Sequence, residues 1–407
     1  MVYSLNFYTT LVCMVGVLLL GRIIINKSKF LRDYNIPEPV VGGIIVAIGI
    51  FLLHKYGGME LKFDGSLKDP LMLAFFASIG LSADFSSLRK GGRILIIFLF
   101  VVTGLLFLQN IIGILVAQGM GVNSLIGLLG GSITMSGGHG TGAAWAKIFV
   151  EEPYKLAAGM EVAMACATFG LVMGGIIGGP VARYLVKKHN LSPTKKDDNT
   201  EVIAFERPEK ERLITASSFV ESLALIAICL LIGTEVSKWF VALFKELDIK
   251  TTIPTFVWCL FIGVILRNVL QGFKIHTVFD REVAVIGNVS LALFLAFALM
   301  TINLLQLIEL ALPIAVILTS QVVIMVLYAI FVTFRFCGRD YDAAVLAAGH
   351  CGFGLGATPT AMVNMQTVTH HYGPSHVAFI VVPLVGAFFI DIINALVISG
   401  ILSLSFF

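Results

Sequence analysis

The chain has 407 residues, of which 57% are hydrophobic and only 13% charged, and its mean hydropathy is +0.94. A soluble domain carries about a quarter charged residues, so the composition excludes one. A net charge of +3 with no aromatic-interleaved basic stripe offers nothing for nucleic acid to bind.

Apolar runs of about 20 residues recur, each long enough to cross a hydrocarbon core roughly 30 Å thick. They are continuous rather than alternating, which means helices and not barrel strands. The first run, at 5–25, has no basic stretch ahead of it. The basic residues come at its far end instead, Arg22 near the close of the run and Lys27 after it, as in a retained first helix rather than a cleaved signal peptide. Runs at 37–54, 68–84 and 94–118 come next, then a glycine-rich stretch at 124–150 and a fifth run at 159–185. A polar linker at 187–212 divides the chain. Runs at 214–243, 253–270, 284–306 and 311–334 follow, then a second glycine-rich stretch at 342–362 and a last run at 377–403. The six cysteines stand singly, mostly within these runs, with no C-x-x-C pair, which argues for buried free thiols over disulfides or zinc.

The halves resemble each other. Ile36-Pro37 with Val40 matches Ile253-Pro254 with Val257. Gly131, Gly138 and Ala143 match Gly349, Gly356 and Ala361, and Val162-Ala163 matches Val377-Ala378, all at nearly one offset. If each glycine-rich stretch enters the membrane and returns on the same side, one set of loops holds 20 of the 28 Lys and Arg. That side is cytoplasmic, and both termini face the periplasm. Full crossings would move the basic linker outside and weaken the bias. The expected fold is therefore an all-α polytopic membrane protein of two inverted five-helix repeats, 1–186 and 213–407. Each repeat has a re-entrant or broken-helix segment, and a cytoplasmic linker joins them.

The chemistry concentrates in the glycine-rich stretches. Glycine at this density costs a water-soluble helix about 1 kcal/mol per residue relative to alanine. Two such runs at equivalent places predict broken helices meeting near the midplane. Free carbonyls there can coordinate a cation, and half-helix N-termini can face an anion. Close helix packing is the alternative reading, but it requires neither the Ser/Thr load nor the paired placement. The candidate substrate-binding residues are Ser136, Gly137, Gly138, His139, Gly140 and Thr141 in the first run, and Gly352, Gly354, Gly356, Thr358 and Thr360 in the second. Ser132, Thr134, Asp391 and Asn394 are the candidates for a small hard cation such as sodium.

Ionisable residues within spans are costly and mark function. Asp391 sits mid-span, for an ion-binding role or a structural hydrogen bond. Glu161 and Glu221 open the fifth and sixth runs, where snorkelling or capping is at least as good a reading. His139 and His350 both sit within the glycine runs, and each is either a proton carrier or a neutral core histidine. Arg335 reads as a cytoplasmic anchor, and Trp145, Trp239 and Trp258 fit interface positions. Ser136-Gly137-Gly138-His139 lacks the strand–turn–helix setting of a nucleophile elbow, so no enzyme is indicated and no cofactor implied.

The segments SGGHGTGAAWAK at 136–147, EVAMACATFGLVMGGIIGGPVARYLV at 161–186 and YDAAVLAAGHCGFGLGATPTA at 341–361 resemble the bacterial sodium/glutamate symporter family. So do IPEPVVGG at 36–43, DPLMLAFFASIGL at 69–81 and FIDIINALV at 389–397. The resemblance covers nearly the whole chain, apart from the linker and both ends. It implies inward carriage of L-glutamate with co-transported sodium across the bacterial inner membrane, and a lipid-embedded homodimer in which a transport domain moves against a scaffold. A di- or tricarboxylate symporter and a cation/proton antiporter or channel are the rival readings.

Overall fold

The apolar runs fold as helices, and their ends carry the expected punctuation. The computed structural model describes residues 2–33, 36–85, 88–193, 213–246, 253–302 and 309–403, with the backbone alone at 88–91 and 387–388. Asn6 caps α1 (Phe7–Lys27) by accepting from the Thr9 N–H at 2.9 Å, and α2 (Lys29–Asp33) is a short turn after Ser28. Pro37 leads into α3 (Glu38–Gly57), which Gly58 ends in the left-handed region. Then come α4 (Lys68–Ser82) and α5 (Leu88–Gly119), which bends at Gly92 (φ 58°).

The first glycine-rich stretch holds α6 (Ser124–Leu128), a π turn (Leu129–Ile133) broken at Gly131, and α7 (Gly138–Val150). After it, α8 (Gly159–His189) ends on Asn190 in the left-handed region. The second half holds α9 (Ala216–Glu246), α10 (Thr255–Gly272), α11 (Asp280–Met300) and α12 (Ala311–Phe336). It continues with α13 (Tyr341–Leu355), α14 (Thr358–Tyr372), α15 (His376–Leu384) and α16 (Ile390–Leu402), the last two joined by a π turn at Val385–Phe389. The strands found among the described residues are β1 (Val2–Ser4) and β2 (Glu60–Lys62), paired in parallel.

Among the described residues, eight helices are long and apolar enough to cross a bilayer: α1, α3, α5, α8, α9, α10, α11 and α12. Two of the ten expected runs differ. The run at 68–84 yields the 15-residue α4, about 22 Å long at 1.5 Å per residue. The run at 377–403 is helical from His376 to Leu402, but its π turn divides it. Most of the linker, 194–212, and the end of the run expected at 284–306 lie outside the described residues.

The second glycine-rich stretch folds back on itself. Its arms, α13 and α14, touch along their whole length. Gly352 packs on Ala361, Asn364 Nδ2 reaches the Ala348 carbonyl at 3.3 Å, and at the base the Tyr341 hydroxyl donates to the Gly373 carbonyl at 2.5 Å. The returning arm ends at Tyr372, ten residues beyond the expected bound, because its last turns (Gln366 to His371) are too polar for hydropathy to find. A Cβ on Gly352 would lie 2.4 Å from the Ala361 Cα, backbone that cannot swing aside. Gly352→Val should therefore cost about 3 kcal/mol or more, read as a lower melting temperature and a poor membrane yield.

The helices form two groups. One contains α1, α3, α4, α9, α10 and α11, and the other contains α5 to α8 with α12 to α16. Trp145 is not at an interface: it is fully buried, edge-on to Phe256 at 5.5 Å. Glu161 does not snorkel either. It is buried in the first turn of α8, where a carboxylate complements the helix dipole. Glu221 is half-exposed, accepting from the Ser217 hydroxyl at 3.1 Å, and Arg335 is exposed at the end of α12.

Candidate functional site

Both glycine-rich stretches break at their centres, and the two breaks meet. The first turns at Ser136 and Gly137 into α7, whose first residue, Gly138, has φ 65°. A side chain is strained in that conformation, so the turn requires glycine. The second breaks at Gly356 and Ala357 before α14. Gln109 of α5 ties the two tips together. The Ser136 hydroxyl donates to Gln109 Oε1 at 2.8 Å, and Gln109 Nε2 donates to the Gly354 carbonyl at 2.7 Å. A glycine stripe on α8 allows the second tip to approach. A Cβ on Gly170 would sit 2.2 Å from the Leu355 oxygen, and one on Gly174 would sit 2.9 Å from the Gly352 oxygen.

A cavity of about 620 Å³ opens where the tips meet. Its floor is the first turn of α7 (Gly138, His139, Gly140) and the first turn of α14 (Thr358, Pro359, Thr360), with Ser136, Gly137, Gly356, Gly386 and Asp391 beside them. Two helix N-termini, each equivalent to roughly half a positive charge, thus converge on one space. Asp391 supplies the negative charge, and the Thr141 hydroxyl lies against its carboxylate. The Thr358 hydroxyl gives its proton to the Gly386 carbonyl in the π turn at 2.6 Å, leaving its oxygen free to accept. The Thr360 hydroxyl is buried and has no hydrogen-bond partner among the described residues. A buried hydroxyl left without a partner is costly, and a ligand in the cavity would relieve it. Both faces of a zwitterion, anionic and cationic, therefore have complements here.

The expected residues divide. Ser136, Gly137, Gly138, His139, Gly140, Gly356, Thr358, Thr360 and Asp391 line the cavity. Gly352 and Gly354 lie behind the second tip, in the packing against α8 and Gln109. Ser132 and Asn394 pair with each other in the core. The Ser132 hydroxyl donates to Asn394 Oδ1 at 2.6 Å, and Asn394 Nδ2 returns a bond to the Ser132 carbonyl at 2.9 Å. Thr134 donates to the Leu129 carbonyl at 2.6 Å, a carbonyl freed by the π turn.

The two histidines part ways. The Thr168 hydroxyl commits its proton to the Met164 carbonyl at 2.8 Å, so its oxygen accepts from His139 Nε2–H at 3.0 Å. That assigns the Nε2 tautomer and leaves Nδ1 as an acceptor on a cavity-lining ring. His350 is not among the residues that line the cavity. It sits among Phe98, Tyr328 and Phe353, with Nδ1 on the Thr333 hydroxyl at 2.8 Å.

Several residues of the site carry no glycine or charge signal. Ser78 and Ser82 of α4 and Asn288 of α11 form the opposite wall with Phe75, Ile79, Leu291 and Leu295. Gln109, Asn110 and Gln321 are fully buried amides in α5 and α12. Asn110 Oδ1 receives the Ser132 N–H at 3.0 Å, and Gln321 Nε2 donates to the Gln109 carbonyl at 2.8 Å. A search for neutral amides inside apolar runs would have found all three.

Known proteins match this chain over its full length. The family described as sodium/glutamate symporter matches residues 3–374. A sodium/glutamate symporter of Escherichia coli strain K12 is 57% identical over 406 residues, covering 100% of this chain and 99% of its own. One of Haemophilus influenzae is 50% identical over 402 residues, 97% and 96% of the two chains. A solved sodium proton antiporter of Methanocaldococcus jannaschii aligns over 98% of this chain and 99% of its own, at 14% identity and a TM-score of 0.42. With broken helices meeting at a charged cavity and half or more of its residues identical to these relatives, this chain belongs to the sodium/glutamate symporter family.

Proposed function

We propose that this chain carries L-glutamate into the cell together with sodium, by alternating access across the bacterial inner membrane. One observation carries the reading: the first turns of α7 and α14 share a single cavity with the carboxylate of Asp391. Glutamate has two carboxylates and one ammonium. Its carboxylates face the two helix N-termini and the hydroxyls of Thr358 and Thr360, while Asp391 holds the ammonium or a sodium ion. Sodium is a co-substrate here, and uncharged oxygens such as that of Thr141 suit it. A potential of 100 mV is worth about 2.3 kcal/mol per charge, and a tenfold sodium gradient adds roughly 1.4 kcal/mol. One sodium ion thus supplies several kcal/mol for uptake.

The division of the helices supports a moving body. The cavity has the tips on one side and α4 and α11 on the other, so its two walls belong to the two helix groups. Displacement of the tip-bearing group against the group of α1, α3, α4 and α9 to α11 would carry the site across the membrane, an elevator-type motion in a homodimer built on that latter, static group. The shared cap geometry of Pro37 and Pro254, with ψ 141° and 148°, fits the inverted repeats. So do the paired central breaks, which in this reading are re-entrant tips entering from opposite faces. Ten crossings, periplasmic termini and a cytoplasmic linker follow from the basic-residue bias.

The deciding experiment is labelled glutamate uptake into proteoliposomes under an imposed sodium gradient. Uptake should need the gradient and be blocked by excess glutamate, while citrate and malate leave it unchanged. Ion flux that proceeds equally without glutamate would replace this reading with that of an antiporter or channel.

A further inference from the structure

A second cleft, away from the tips, has no part in the transport reading. α8 and α14 cross tightly where Asn364 Nδ2 donates to the Gly174 carbonyl at 2.8 Å, and then diverge to enclose about 1090 Å³. The lining is basic: Arg183, Lys187 and Lys188 from α8 face His371 from α14, and no Asp or Glu among the described residues lines the cleft. Arg183 and Lys187 are exposed one helical turn apart, and neither is ion-paired among the described residues. Lys188 is held in place by Tyr184, its Nζ donating to the phenol oxygen at 2.7 Å. His371 donates Nδ1–H to the Thr367 carbonyl at 2.9 Å, which frees Nε2.

The same cleft has an apolar side. Gly179, Pro180 and Val368 line it, a Cβ on Gly179 would meet nothing within 4 Å, and Ile176 beside them is 43% exposed. At 31 residues α8 is about 46 Å long, more than the hydrocarbon core, so its basic last turns reach headgroup level while Ile176 and Gly179 stay nearer the acyl chains. Cations grouped at one depth with open apolar surface beneath complement an amphiphile better than a free ion.

We infer that the α8–α14 cleft binds an anionic phospholipid, its phosphate held between Arg183 and Lys187 and its acyl chains lying along Gly179 and Ile176. Arginine suits the task because its planar fork meets two phosphate oxygens at once. The bound lipid would bridge α8 to the outer end of α14, the arm whose other end forms the second tip.

The test uses the full-length protein in nanodiscs of phosphatidylcholine containing a minor fraction of phosphatidylglycerol, with retained lipid counted by native mass spectrometry. Wild type should retain phosphatidylglycerol at least about fivefold above Arg183→Gln/Lys187→Gln, and Arg183→Lys/Lys187→Arg should retain it as wild type does. Gly179→Phe fills the cleft while keeping every charge, and it should expel the lipid as well. Lys27→Gln/Lys29→Gln, which neutralises cations elsewhere, should change nothing. Equal retention by the glutamine pair and by Gly179→Phe would overturn the inference, as would release of the lipid by millimolar inorganic phosphate.

Discussion

Replacing Asp391 with alanine should raise the sodium concentration for half-maximal glutamate uptake by about a hundredfold, while the protein still reaches the membrane. The carboxylate borders the cavity, faces the Thr141 hydroxyl and is the acidic side chain among the cavity-lining residues. Its loss leaves the cation with neutral oxygens alone. Removing one partner of a buried charge pair costs about 3 kcal/mol or more, which is somewhat over two decades in affinity. Asp391→Asn separates charge from shape, because it keeps the volume and one oxygen. It should behave like alanine in sodium dependence and like wild type in melting temperature. Unchanged sodium dependence in both variants would remove Asp391 from the site.

Gln109→Leu should lower uptake by a factor of about 10 to 100 at similar expression. Gln109 makes no contact with the cavity, so its effect must pass through the tips it joins. Leucine fills a similar volume but leaves the Ser136 hydroxyl and the Gly354 carbonyl to each other across 3.2 Å. Unmaking two buried bonds costs about 2 kcal/mol, enough to let the tips separate without unfolding the bundle. Gln109→Glu keeps the acceptor for Ser136 but sets a buried carboxylate oxygen against the Gly354 carbonyl, so it should lower uptake at least as far as leucine does. The decisive readout is the KM for glutamate set against melting temperature. A positioning role raises KM with little thermal cost, whereas a purely structural role lowers the melting temperature and leaves KM alone.

Much of this architecture was legible in the residues. Hydropathy located the helices because lipid-facing and core-facing positions are equally apolar in a membrane protein. Glycine located the breaks because close backbone approach excludes side chains, and both tips fall within the stretches it marked. Hydropathy failed where burial and polarity separate. The outer half of α14 is rich in Thr, His and Gln yet belongs to the hairpin, and α4 is apolar but only 15 residues long. At the site, charge and glycine pointed to Asp391 and the tips. They passed over Gln109, Asn110 and Gln321, whose amides are neutral and whose partners are carbonyls and hydroxyls far away in sequence. Ser132 and Asn394 read as ion ligands because both carry oxygens. Their pairing with each other, across 262 positions, is visible only in three dimensions.

The wall opposite the tips has a mechanical consequence. Phe75, Ile79, Leu291 and Leu295 present rings and branched methyls, and the Ser78 and Ser82 hydroxyls between them spend their protons on carbonyls of their own helix, those of Phe75 and Ser78. Apart from the Asn288 amide, such a face offers few directional bonds to whatever lies against it. In the motion we propose, resistance would then be set by shape, so bulk added to this wall would act as a brake as well as narrowing the cavity.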